Sequence, residues 1–152
     1  MSGDPAHRAR EASGGVRLRR AARRTAVDIL FQADVAERGP ADVLADWRAA
    51  GRTIGAYAAQ LVEGVEASLG RIDELLGTHA EAWTVARMPV VDRTILRVAC
   101  YELLAGLTPA VAINEAVAAA NELSTEASGR FVNGVLGKIA RELEGEGRLQ
   151  LD

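Results

Sequence analysis

The sequence predicts an all-α protein, and three observations carry that prediction. Hydrophobic residues make up 49% of the chain but aromatics only 4%. Alanine supplies much of the apolar count and β-branched runs are few, a balance that favours helix over sheet. Apolar residues recur at three- and four-residue steps through most of the chain, and no stretch alternates as a half-buried strand does. The glycines and prolines that punctuate this pattern cut it into helix-length pieces. The 152 residues suit one domain with a sizeable core.

Residues 1 to about 16, with Gly3, Pro5, Gly14 and Gly15, lack apolar periodicity and are expected to be disordered. A first helix is expected over 18–37. Ala22, Ala26, Ile29, Leu30 and Ala33 form its inner stripe, and Gly39 follows its end. Pro40 suits the first turn of a short helix over 40–50, closed by Gly51, with Val43, Leu44 and Trp47 inward. A long helix over 53–76 follows from Ile54, Tyr57, Leu61, Val65, Leu69, Ile72 and Leu76, with Gly77 as its stop.

Residues 78–89 read as a connector carrying Trp83, with room for one helical turn. A helix over 89–106 places Val91, Ile95, Val98, Ala99 and Leu103 on one face, ended by Gly106 and Pro109. A shorter helix over 112–124 turns Val117, Ala120 and Leu123 inward. The last, over 126–143, has Phe131, Val132, Val135, Leu136, Ile139 and Leu143 as its buried positions. Gly134 and Gly137 inside it cost helix stability and are expected to permit close packing. The architecture implied is two packed three-helix bundles, sub-bundles about 18–77 and 88–144 of a domain spanning 18–144. A flexible basic arm over 1–17 precedes it and a frayed tail over 145–152 follows.

Charge is unevenly placed. Seven arginines against Asp4 and Glu11 leave +5 on residues 1–24, so the net −3 leaves −8 on the rest. A basic arm on an acidic body points to a polyanionic partner. Arg17, Arg19, Arg20, Arg23 and Arg24 crowd the expected start of the first helix, where the helix dipole disfavours cations. Arg19/Arg23 and Arg20/Arg24 also repel at i,i+4. A polyanion such as nucleic acid is one neighbour that would offset this cost. Arginine presents a planar fork that binds phosphate bidentately and stacks on bases. The chain holds a single lysine, Lys138, so composition accounts for arginine over lysine but not for the clustering. Acidic protein surface is the competing partner. Single-stranded RNA fits better than duplex DNA, because no helix-turn-helix pattern appears and arginine-rich segments serve RNA binding. Phe31, two turns beyond Arg24, is either a base-stacking face or a core residue.

Catalytic signatures are lacking. Only His7 and His79 are present, which makes no metal cluster, and no phosphate-cradling glycine loop follows a strand. No catalytic residue, metal or cofactor is expected. Cys100 reads as a packed, reduced thiol. No signal peptide or membrane-length apolar run appears, so a soluble cytoplasmic protein is expected.

Three stretches go beyond what periodicity requires: "RRAARRTAVDILFQADV" (19–35), "MPVVDRTILRVACYELL" (88–104) and "VAINEAVAAANELSTEASGRFVNGVLGKIARELE" (111–144). Together they resemble the transcription antitermination factor NusB family over about residues 18–143. The resemblance implies an all-α fold of two three-helix bundles. It also implies binding, together with NusE (a small-subunit ribosomal protein), to boxA-type RNA in ribosomal RNA transcripts. The complex acts on RNA polymerase and prevents premature termination.

It further implies RNA contacts at Arg19, Arg20, Arg23 and Arg24, with Phe31 beside them. A second part of the RNA face falls at Ser128, Arg130, Phe131 and Asn133. Asp92 and Glu115 are the candidate NusE contacts. Arg97 and Asn114 have structural alternatives, Asn114 as a helix cap. Two features depart from the family pattern: a longer arm with Arg8, Arg10 and Arg17, and a "TPAVAINEA" connection about one residue shorter. The alternatives are a homodimeric helical interaction module and the detached NusB-like domain of a ribosomal RNA cytosine methyltransferase. The chain's length and single cysteine argue against the latter.

Overall fold

The computed structural model describes residues 5–81 and 83–151, with side chains over 15–81 and 83–147. Among these residues there are seven α-helices and no strand: α1 Pro5–Ala36, α2 Pro40–Ala49, α3 Ala56–Ala67, α4 Leu69–His79, α5 Val90–Leu104, α6 Pro109–Leu123 and α7 Glu126–Leu151. A single 3-10 turn, Val85–Arg87, forms the one ordered turn expected in the connector. No described helix is long and apolar enough to cross a membrane.

The expected periodicities place the core well. Ala26, Ile29, Leu30 and Ala33 of α1 are buried against Leu61, Val62 and Val65 of α3 and Ile95, Leu96 and Ala99 of α5. Burying each such branched side chain contributes roughly 1.5–3 kcal/mol. Val132, Val135, Leu136 and Ile139 seat α7 on α5 and α6. Cys100 is fully buried, and burial pushes its thiol pKa up to about 12. The two helical groups share one continuous core, since α1 packs on α5 as well as on α2 and α3.

Helix bounds differ from expectation in several places, among them the start of α6 at Pro109 rather than 112. The helix expected over 53–76 is two helices, because Ser68 leaves helical geometry with φ −106° and ψ 12°. The break turns Ile72, Leu75 and Leu76 of α4 into the core while α4 packs on α5 and α7. Leu69, expected inside, is 36% exposed. Next, α1 begins at Pro5, so residues 5–17 of the expected disordered arm are helical; Ala6, Arg8, Ala9 and Arg10 are good helix formers. Residues 1–4 lie outside the described residues. Lastly, α7 runs to Leu151 where fraying was expected from 145. Asp152 lies outside the described residues.

Helix ends show where the backbone turns. At Gly106 (φ 95°) the amide of Leu107 donates to the Glu102 carbonyl at 2.9 Å and that of Gly106 to Leu103 at 3.1 Å, a Schellman closure. Glu37 (φ 54°) closes α1 in the same way, with Arg38 donating to Ala33 at 2.9 Å. Between the groups, Asp34 of α1 holds two arginines of α5: Arg93 at 2.8 Å and Arg97 at 3.4 Å. Arg97 also grips Asp73 of α4 through two bonds of 3.0 and 2.9 Å. Arg97 therefore takes the bundle-holding role. Asn114 does not cap α6, because that helix starts five residues earlier at Pro109.

Candidate nucleic-acid interface

The arginines of α1 do not stand at a helix N-terminus. With α1 starting at Pro5, Arg19 begins roughly four turns in, beyond the reach of the terminal dipole. The dipole penalty expected from the sequence therefore does not arise. The like-charge spacing is real, and carboxylates of α5 and α6 answer it. Arg20 Nε donates to both Glu115 oxygens at 3.0 Å. Arg23 Nε donates to the Glu102 carboxylate at 3.0 Å, and Arg24 Nη1 to Glu122 at 3.2 Å.

These arginines are not equivalent. Arg23 and Glu102 are 12% and 2% exposed. The Tyr57 hydroxyl donates to Glu102 as well. Burial disfavours the Arg23 cation, but the hydrogen bond and charge of Glu102 outweigh it and raise its pKa. Burial, then Glu102, pushes the Tyr57 phenol up to about 12. Arg23 is thus an internal ion-pair partner, unlike the open phosphate ligand expected from the sequence. Arg20 is 62% exposed and Arg24 47%. The exposed Arg19 lies with its guanidinium 5.0 Å from the centroid of the Tyr57 ring.

Helical spacing puts Arg20, Arg24, Phe31 and Val35 on one strip of α1. Phe31 is 38% exposed and Val35 61%. Phe31 therefore lies at the surface rather than within the core. Beside this strip runs a groove of about 200 Å³ between α1, α5 and α6. Arg20 and Arg24 form one rim, Glu115 and Glu122 the other, and Ala116 and Ala119 lie between.

The second expected patch divides in two. Ser128 is buried: its amide donates to Thr125 Oγ1 at 3.0 Å and its hydroxyl donates to Asp92 Oδ2, also at 3.0 Å. It joins the first turn of α7 to that of α5. Phe131 packs on the core. Arg130 and Asn133 are exposed and border a shallow hollow with Asn121 and Glu126. Gly129 allows this contact of α6 and α7, since a Cβ there would lie 2.0 Å from Asn121 Oδ1. Both patches border α6.

The two carboxylates expected to meet a protein partner have internal partners instead. Asp92 is 4% exposed and bound by Ser128. Glu115 is occupied by Arg20, with Arg23 Nη1 at 3.9 Å. Glu102 and Tyr57 join the site although neither carries a functional signal in the sequence. Glu102 lies in the quoted "YELL" stretch, but nothing local signals a partner 79 residues away. Among the described residues, no group of three or more histidines, cysteines or acids is placed to hold a metal ion.

Fold and site together define a class: an all-helical body, two helical groups on one core, with a basic strip along its first helix. The NusB family profile matches residues 20–141, and the chain belongs to that family. A transcription antitermination protein NusB from Salinispora tropica is 50% identical over 129 residues, covering 80% of this chain and 94% of that protein. Its counterpart from Saccharopolyspora erythraea is 49% identical over 132 residues, covering 80% and 86%. Among solved structures, T. maritima NusB superposes with a TM-score of 0.72 at 35% identity, covering 82% of this chain and 91% of that one. A chain from a crystal structure of antitermination factors NusB and NusE in complex with dsRNA gives 0.72 at 27% identity, covering 83% and 98%.

Proposed function

We propose that this protein is a cytoplasmic, non-enzymatic RNA-binding transcription antitermination factor. It binds boxA-type RNA of ribosomal RNA transcripts together with NusE and prevents premature termination by RNA polymerase. The observation that carries the reading is the exposed strip of α1, where Arg20 and Arg24 stand in line with Phe31 in a chain whose relatives are antitermination proteins. Arg19, Arg20 and Arg24 supply phosphate contacts, and Phe31 a stacking face. Arg130 and Asn133, on the other side of α6, extend the RNA surface. NusE docks on the second helical group, near the first turn of α5, where Asp92 lies beneath the surface. The similar structure that contains NusE and dsRNA supports NusE and RNA as classes of partner.

Fluorescence anisotropy tests this reading. Labelled boxA-type RNA, a scrambled strand of equal length and a duplex are each titrated with protein, with and without NusE. The expected result is preference for boxA-type RNA that increases with NusE. Equal affinity for all three RNAs in both conditions would reduce the strip to a generic phosphate clamp and contradict the reading.

A further inference from the structure

The acidic rim of the α1–α6 groove has a consequence for RNA binding. Glu102 answers a buried cation and belongs to the core. Glu115 and Glu122 differ: the arginines they hold, Arg20 and Arg24, are 62% and 47% exposed and are the ones offered to RNA. Glu122 is itself 72% exposed. The Arg24–Glu122 pair is exposed on both sides and adds little to stability, whereas Glu115 is only 15% exposed and also lies 3.9 Å from Arg23 Nη1. Both pairs oppose an incoming anion. A phosphate that reaches Arg20 or Arg24 must replace a carboxylate at 3.0 or 3.2 Å. The displaced carboxylate then stands beside the strand and repels it.

We propose that Glu115 and Glu122 are built-in competitors of RNA phosphate: their ion pairs with Arg20 and Arg24 hold the RNA strip in a partly neutralised state that a strand must displace. This rests on the RNA-binding reading above and adds the regulation of that site. A strand that presents only phosphate to the strip exchanges one anion for another and gains little. An RNA that also stacks on Phe31 or engages Arg130 and Asn133 brings contacts the carboxylates do not oppose. The pairs thereby lower the affinity for every strand and leave only strands with additional contacts tightly bound.

The test compares wild type with Glu115→Gln/Glu122→Gln, with Glu122→Gln alone, and with Asp46→Asn as a control for overall charge. Asp46 pairs with Arg38, and neither lines the groove. Anisotropy is read with boxA-type and scrambled RNA over a salt series. The double variant is expected to bind both RNAs about fivefold more tightly at low salt, and the single variant about twofold. The salt slope should steepen by roughly 0.7 for Arg20 and by less for Arg24, which keeps Asp28 at 3.6 Å. Asp46→Asn should bind as wild type. Glutamine keeps an acceptor at position 115, and the exposed position 122 leaves the fold untouched. Wild-type binding with no gain in either variant overturns the proposal alone, as does an equal gain in Asp46→Asn. Failure of both wild type and variants to bind any RNA overturns the RNA reading and the proposal with it.

Discussion

At the scale of residues, the arginine cluster separates into two kinds of side chain. Arg23 faces inward to Glu102 and Tyr57, while Arg20 and Arg24 face outward. Replacing Arg23 by Ala strands a carboxylate that is 2% exposed, which costs about 3 kcal/mol. Chemical denaturation should show that loss, and Arg20→Ala or Arg24→Ala should stay within about 0.5 kcal/mol of wild type. Tyr57 gives a pH signature. Its folded pKa of about 12 lies above the ordinary value of 10. Folding therefore favours the protonated phenol, and that stabilisation is complete below pH 10 and is lost as pH rises toward 12. Tyr57→Phe should show a shallower loss of stability across that window, followed by thermal melting at successive pH values. The Cys100 thiol, also raised to about 12, leaves a residual slope. The cluster was legible in the sequence as a basic feature. Its division was not, because it depends on partners from α5 and α6 that no local pattern identifies.

At the scale of elements, two glycines expected to permit close packing do not, and two others do. Gly134 has open space around it and Gly137 meets only an Arg141 nitrogen at 3.6 Å. At Gly64, by contrast, a Cβ would lie 2.2 Å from the Tyr101 ring, where α3 crosses α5. Gly134→Ala should therefore stabilise the protein by about 1 kcal/mol, the ordinary helix-propensity gain. Gly64→Ala should destabilise it by about 2 kcal/mol through overpacking, and paired thermal melts distinguish the two. Glu37 offers a second gain. It holds φ 54° at the end of α1, a conformation glycine adopts without strain. Glu37→Gly should raise stability by about 1 kcal/mol in urea unfolding. Helix existence was legible between residues 18 and 143, where the apolar stripes have the correct period, and not over 5–17 or 145–151, which lack such a stripe. The break at Ser68 was not, because Leu61, Val65, Leu69, Ile72 and Leu76 keep step across it. With Ser68 and Gly70 as weak helix formers at the junction, the break lets α4 pack on α5 and α7.

At the scale of the whole molecule, composition and periodicity were enough to name the fold class, and three quoted stretches enough to name the family. The sequence also separated the basic end from the acidic body. How the two meet required the structure: acids of α5 and α6 lie directly against the basic strip of α1. The acidic body thus compensates the arginines rather than merely carrying them. The same closeness explains why α1 belongs to both helical groups, held by Asp34 to Arg93 and Arg97 as well as by the apolar core.

Arg20 and Arg24 are the proposed phosphate ligands of this strip, reached by displacing Glu115 and Glu122. The most direct measurement is the salt dependence of boxA-type RNA binding by wild type and by Arg20→Ala/Arg24→Ala. The variant should bind more weakly at low salt, with a slope shallower by roughly 0.7 per lost phosphate contact and an unchanged circular dichroism spectrum. Equal affinity and equal slope in a folded variant would contradict that assignment.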